Sequence, residues 1–122
     1  MKTVLAIVES QEMGQFLRHA LGNRYNLTVC RTADEGTMLL QQKPDALILD
    51  LHIPGGLSLL EHRTTSLPPV VIAMTAVCIR PVLLKAAQLG VDCLIRIPCT
   101  GTQIAHHLEM LLCKKDPSLS GG

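Results

Sequence analysis

The sequence predicts an α/β domain in which a five-stranded parallel sheet lies between two layers of helices, a three-layer αβα sandwich. Short apolar runs rich in β-branched residues recur along the chain without polar alternation, as in strands covered on both faces. A longer amphipathic stretch follows each run, as expected for helices. The 122 residues suit one domain with one core, and 48% hydrophobic residues against 17% charged ones exclude a disordered chain.

The strands are predicted from the five apolar runs. They are Thr3–Val8, Leu27–Cys30, Ala46–Leu49, Val70–Met74 and Cys93–Ile95. Right-handed crossovers between parallel strands leave few topologies, and we expect the flavodoxin-like (βα)5 arrangement with strand order 2-1-3-4-5. In that arrangement, the functional crevice lies at the carboxyl ends of the strands.

Capping residues indicate where the helices begin and end. Thr32–Glu35 and Thr100–Gln103 are capping boxes at the starts of the second and fifth helices. Pro81 suits the first turn of the fourth helix, and Gly90 suits its end. A short third helix is predicted at about Leu57–Arg63. We expect residues 1–113 to form the domain and the polar residues 114–122 to form a flexible tail or linker.

Composition argues against several classes of function. The net charge is +1, and Phe16 and Tyr25 are the only aromatic residues, so no surface for direct nucleic-acid binding is predicted. The N-terminal apolar run Val4–Val8 is cut by Glu9 and is too short for a signal peptide or a membrane span. These features predict a soluble protein of the cytoplasm without contact to a membrane.

Sulfur-containing residues are interpreted as interior residues. The cysteines are odd in number and form no C-x-x-C motif, so buried, reduced thiols are expected rather than disulfides. They are Cys30, Cys78, Cys93, Cys99 and Cys113. Three methionines on predicted helices are interpreted as core residues. They are Met13, Met38 and Met110.

Residues able to do chemistry follow several of the predicted strands. Glu9 and Ser10 come after the first strand, Asp50 after the third, Thr75 after the fourth, and Arg96–Pro98 after the fifth. Because the carboxyl ends of parallel strands meet at one edge of a sheet, an acid, a carboxylate nucleophile and a hydroxyl are expected to converge there.

Three segments at these strand ends resemble the motifs of response regulator receiver domains from two-component signal transduction. Leu47–Gly55 is similar to the phospho-acceptor motif, and Ile72–Ala76 is similar to the segment that carries the hydroxyl switch. Gly90–Pro98 is similar to the last strand with its Lys-Pro corner. The resemblance extends from Thr3 to about Leu112, and the three motifs occur in the family's order.

The resemblance implies a phosphorelay function. Asp50 would accept a phosphoryl group from a sensor histidine kinase or a phosphotransfer protein, and Thr75 would contact that group and act as the switch. Glu9, Asp50 and the backbone carbonyl of His52 would hold Mg²⁺. The domain would then change its affinity for an output domain or partner protein, with a homodimer as one possible form. It would not be an enzyme in the usual sense.

The sequence departs from the family pattern at three positions. Ser10 stands where the family has a second acid, so a weaker metal site is expected. Ile97 stands at the position of the phosphoryl-binding lysine, and the neighbouring Arg96 should face the other side of the sheet. Leu94 replaces the aromatic residue that usually couples the switch to the surface, so a weaker or different coupling is expected.

Two alternatives to a phosphorylated receiver therefore remain. The chain would be a phosphorylation-independent pseudo-receiver if the fold served only docking or dimerisation. It would be a flavodoxin-like domain that binds a small molecule if a nucleotide or cobalamin occupied the crevice. Glu9–Gln11 follows the first strand where a nucleotide-binding domain has a Gly-rich loop, which argues against that last interpretation.

Overall fold

The computed structural model describes residues 1–61, 67–77 and 79–115, and within them it has one parallel sheet flanked by helices. The strands are β1 (Thr3–Ile7), β2 (Asn26–Cys30), β3 (Ala46–Asp50), β4 (Val70–Thr75) and β5 (Cys93–Arg96). The helices are α1 (Gln11–Leu21), α2 (Ala33–Leu40), α3 (Gly56–Glu61), α4 (Arg80–Gln88) and α5 (Gly101–Lys115). The order β2-β1-β3-β4-β5 confirms the predicted fold and topology.

Each face of the sheet packs against a separate hydrophobic cluster because side chains alternate along each strand. One cluster joins the first face to α1 and α5 through residues such as Ile48, Ile72 and Ile104. The other joins the second face to the remaining helices through residues such as Leu47, Leu49 and Leu60. The central strands are thus covered on both sides, and their ends are held in fixed positions relative to one another.

The edge strands differ from the prediction. Strands β1, β3 and β4 are almost fully buried, as their apolar runs indicate. In β2, however, exposed and half-buried residues alternate and only Cys30 is buried, and in β5 only Ile95 is buried. The expectation of burial on both faces was therefore wrong for β2 and β5, because an edge strand has a neighbour on one side only.

Both predicted N-caps are present, but only the second forms the reciprocal capping box, in which the Gln103 side chain accepts the Thr100 N–H at 2.8 Å. At the first, the Glu35 carboxylate accepts the Thr32 hydroxyl. The Thr32 hydroxyl accepts the Glu35 N–H at 3.2 Å, and the Thr100 hydroxyl accepts the Gln103 N–H at 3.1 Å. Helix α5 continues through Lys115, two residues beyond the predicted domain end at residue 113. The Lys115 ammonium contacts an Asp92 carboxylate oxygen at 2.9 Å, which ties the last turn to the sheet. The remainder of the predicted tail, and Arg63 of the predicted third helix, lie outside the described residues.

Several sulfur-containing residues are less buried than predicted. Cys30 is buried, but Cys93, Cys99 and Cys113 are only partly so, and all four are free thiols. The fifth cysteine lies outside the described residues. Met38 and Met110 are 71% and 60% exposed, so their assignment to the core was wrong. In the described ranges, no helix has the length and apolar character needed to cross a membrane.

Candidate functional site

The sheet places three of the predicted site residues on adjacent strands. Asp50 ends β3 and Thr75 ends β4, and the register pairs Asp50 with Met74, the residue before Thr75. Glu9 follows β1, two residues beyond Ile7, which pairs with Leu49 of β3. The carboxyl ends of β1, β3 and β4 therefore bring Glu9, Asp50 and Thr75 to one edge of the sheet, as the sequence predicts.

The Asp50 carboxylate is half-buried and fixed by the loop that follows it. Its Oδ1 atom accepts the backbone N–H of His52 at 2.9 Å, a local bond that aspartate commonly forms at the start of a turn. The next residue, Leu51, donates its N–H to the Met74 carbonyl at 3.0 Å, which holds the loop against β4. One carboxylate oxygen is thus oriented by the backbone.

The Thr75 hydroxyl is fully buried and has three hydrogen-bonding partners. It lies 3.0 Å from the Val77 carbonyl, and it accepts the Val77 N–H at 3.0 Å. Its third partner is Nε2 of the His52 imidazole, at 2.5 Å. A hydroxyl has one proton and two lone pairs, so these three contacts use its full capacity.

Sequence reasoning missed the imidazole of His52. Only the backbone carbonyl of His52 was considered as a ligand, yet its side chain spans from the β3–α3 loop to Thr75 on the neighbouring strand. The backbone of His52 contacts Asp50 and its ring contacts Thr75, so this residue links the two predicted site residues. The available signal was its position, two residues after a strand-ending aspartate.

The β1 end of the site is more open. Glu9 is exposed, and its backbone carbonyl accepts the Arg31 Nε–H at 3.1 Å. Ser10 is the N-cap of α1, and its hydroxyl accepts the Met13 N–H at 3.3 Å. Beside these residues is a surface cavity of about 480 Å³ lined by Glu9, Arg31, Thr32, Glu35 and Pro54.

The oxygen-bearing residues at this end of the sheet suit a magnesium ion that is held by few protein ligands. Within the described residues, no group of three or more His, Cys, Asp or Glu side chains could hold a metal. Mg²⁺ needs fewer, because it keeps several waters and is commonly held by one or two carboxylates. Asp50 and Glu9 would supply two, and the His52 carbonyl would be a further oxygen, from the loop that follows Asp50. The Ser10 hydroxyl adds no charge to this set.

In the described part of the chain, no ion pair joins a residue at the β5 end to Asp50. The Ile97 N–H donates to the Thr75 carbonyl at 2.9 Å, and the Ile97 side chain packs against the cluster beneath α1 and α5. Arg96 pairs with Thr75 in the register and is exposed. Leu94 packs against the cluster on the opposite face from Ile97. Among the described residues, the ion pairs found do not include Asp50.

Cys30 ends β2 at the same edge of the sheet but is no candidate nucleophile. Burial raises the pKa of its thiol to about 11, and the negative charge of Glu35 adds to that effect. A thiol with so high a pKa is protonated at neutral pH, and the thiolate is the reactive form. Cys30 therefore adds no nucleophile to the groups of Asp50, His52 and Thr75 at this edge.

Several solved structures with the same fold are described as receiver domains. No protein-family model matches the sequence. The receiver domain of Francisella response regulator 1452 superposes with a TM-score of 0.86 at 19% identity, covering 95% of this chain and 100% of that one. A CheY-like receiver domain protein from Methanospirillum hungatei gives 0.84 at 18% identity, covering 94% and 96%.

A third similar structure is the receiver domain of a signal transduction histidine kinase from Syntrophus aciditrophicus. It has 24% identity and a TM-score of 0.77, and the alignment covers 93% of this chain and 92% of that one. Each alignment spans nearly the whole of both chains, so the likeness concerns the complete domain. The strand order, the five (βα) units and these superpositions agree. The chain has the fold of a response regulator receiver domain.

Proposed function

We propose that this domain accepts a phosphoryl group on Asp50 and changes its affinity for a partner when it does so. The observation that carries the proposal is the position of Asp50: a half-buried carboxylate at the end of β3, oriented by the His52 N–H at 2.9 Å and adjacent to the buried hydroxyl of Thr75. A carboxylate nucleophile beside a hydroxyl that can hold phosphoryl oxygens suits phosphoryl transfer, in which positioning and charge neutralisation do most of the work.

The transfer step follows from the geometry of Asp50. The carboxylate oxygen that does not bond the His52 N–H attacks phosphorus, a new P–O bond forms, and the bond from phosphorus to the donor's leaving atom breaks. Glu9, Asp50 and the His52 carbonyl would hold Mg²⁺, which neutralises the charge that gathers on the transferred group. The Thr75 hydroxyl then donates to a phosphoryl oxygen once it is released from its present partners.

The partners follow from the fold and the chemistry together. A domain with one carboxylate acceptor needs a phosphorylated donor, so a sensor histidine kinase or a histidine phosphotransfer protein is proposed. The product is a signal carried by the phosphorylated domain and received by an output domain or partner protein. A homodimer is one form this could take, and direct contact with nucleic acid or membrane is not part of the proposal.

A pseudo-receiver is the second candidate, and two observations favour it. The Ile97 side chain lies in the hydrophobic cluster and supplies no positive charge to a phosphoryl group. The Thr75 hydroxyl has three partners already. On this alternative, the domain would serve as a docking module that is not phosphorylated.

Intact-protein mass spectrometry after incubation with acetyl phosphate and Mg²⁺ separates the two candidates. Phosphorylation predicts one added phosphoryl group that is absent in Asp50→Asn. The matched control is Asp34→Asn, which removes an exposed carboxylate on α2 and should leave the adduct unchanged. No adduct at saturating donor, or an adduct that persists in Asp50→Asn, would contradict phosphorylation of Asp50 and favour the pseudo-receiver.

A further inference from the structure

The contact between His52 and Thr75 constrains the group that would bond a phosphoryl oxygen. The Val77 N–H occupies one lone pair of the Thr75 hydroxyl, at 3.0 Å. With the hydroxyl proton directed to the Val77 carbonyl at 3.0 Å, the imidazole in the tautomer that protonates Nε2 fills the second lone pair. Since Thr75 is fully buried, no further partner reaches its hydroxyl while the imidazole stays in position.

We infer that His52 is a latch that holds the Thr75 hydroxyl in the unphosphorylated state and must swing away when Asp50 carries a phosphoryl group. This inference rests on the proposed function. The Val77 groups belong to the backbone that follows β4, so they are fixed relative to Thr75. The imidazole belongs to an exposed residue of the β3–α3 loop, and it is the partner that can leave by rotating its side chain.

The latch also supplies a route for the signal. Leu94 replaces the aromatic residue whose movement is expected to report the state of the hydroxyl in receiver domains. Here the hydroxyl contacts His52 instead, whose backbone N–H is bonded to the phospho-acceptor itself. Release of the imidazole from Thr75 would change the surface at the β3–α3 loop, so that loop is where a partner would detect phosphorylation.

The latch lowers the apparent affinity of the site for a phosphoryl group, because binding must first break the His52–Thr75 contact. One ordinary hydrogen bond corresponds to a change of about fivefold. Trifluoroberyllate, a stable mimic of a carboxyl-bound phosphoryl group, measures this directly. We expect His52→Ala to bind it about fivefold more tightly than the wild type in an NMR titration with Mg²⁺ present.

A matched pair of substitutions tests whether the ring nitrogen is the cause. The amide nitrogen of His52→Gln reaches about as far as the imidazole Nε2, so this variant should keep the latch and bind like the wild type. The shorter side chain of His52→Asn should not reach Thr75 and should bind like His52→Ala. His107→Ala on α5 removes an exposed histidine elsewhere and should have no effect.

A double-mutant cycle separates the latch from a general effect on the fold. In a Thr75→Ala background there is no hydroxyl to hold, so His52→Ala should change the affinity no further. Equal or weaker binding by His52→Ala, or the same gain without the Thr75 hydroxyl, would overturn the latch. If Asp50 is phosphorylated equally well in the wild type and in His52→Ala, the latch is overturned and the proposed function stands. A lack of adduct and of trifluoroberyllate binding in every variant would overturn the proposed function and the latch with it.

Discussion

The two sides of the candidate site are built in opposite ways. On the β3–β4 side, formed by Asp50, His52 and Thr75, the polar groups are bonded to one another and to the backbone, and Thr75 is fully buried. On the β1–β2 side, formed by Glu9, Ser10 and Arg31, the residues are exposed. There, the guanidinium of Arg31 donates a hydrogen bond to the backbone carbonyl of Glu9.

The difference shows which part of the site the fold itself requires. Buried polar groups must be paired, because an unpaired one costs free energy in the folded state. The contacts of Thr75 therefore contribute to stability whether or not the domain is phosphorylated. The exposed groups of the β1–β2 side have water as an alternative partner, so substitutions there should alter ion binding more than folding.

The largest effect on folding is expected for Thr75→Val. This substitution removes the buried hydroxyl that accepts the Val77 N–H and contacts His52. Two ordinary hydrogen bonds are lost, at a cost of about 2 kcal/mol in the free energy of unfolding. Urea denaturation followed by circular dichroism should show a lower midpoint with an unchanged slope.

The matched control for that substitution is Thr75→Ser, which keeps the hydroxyl and removes one buried methyl group. Its expected cost is about 1 kcal/mol. If Thr75→Val proves as stable as Thr75→Ser, the buried hydroxyl contributes little, and the contrast between the two sides of the site is not one of stability.

A smaller effect, and one on ion binding alone, is expected for Glu9→Gln. Losing one of two carboxylates should weaken Mg²⁺ binding about tenfold, because Mg²⁺ prefers charged oxygen ligands. Calorimetric or NMR titration with Mg²⁺ measures this without any phosphoryl donor. The free energy of unfolding should stay within about 0.5 kcal/mol of the wild type, as for other exposed positions.

Glu12→Gln is the control for charge in general, since Glu12 is an exposed acid in the first turn of α1. It should leave Mg²⁺ affinity nearly unchanged. Equal losses in the two variants would indicate that Glu9 acts through the overall negative potential of this surface. Glu9 would then not be a ligand of the ion.

The parts of the structure that the sequence predicted well depend on local patterns. Apolar runs place the central strands, and the side chains of Thr32 and Thr100 mark two helix starts because a cap bonds a backbone group only three residues away. The positions of Glu9, Asp50 and Thr75 at one edge then follow from parallel pairing alone. None of these inferences needs knowledge of a side-chain conformation.

The parts that could not be predicted depend on distant neighbours. The His52 ring meets Thr75 across 23 positions of sequence, and its rotamer is set by the packing of two strands rather than by residues beside it. Met38 lies on α2, whose buried residues are Gly36 and Leu40, and helical spacing alone does not reveal which face of so short a helix the sheet covers. The partial exposure of β2 and β5 likewise depends on their places at the sheet edges.

The smallest effects are expected at Ser10, where one residue has two separable roles. Ser10→Ala removes the cap of α1 and should lower the free energy of unfolding by about 0.5 to 1 kcal/mol. Ser10→Asp keeps a capping oxygen and restores the second acid of the receiver pattern, so stability should be preserved while Mg²⁺ affinity rises. Thermal unfolding and Mg²⁺ titration of the two variants measure these roles separately. If Ser10→Asp leaves Mg²⁺ affinity unchanged, the ion does not lie between the ends of β1 and β3, and Glu9 loses its proposed role as well.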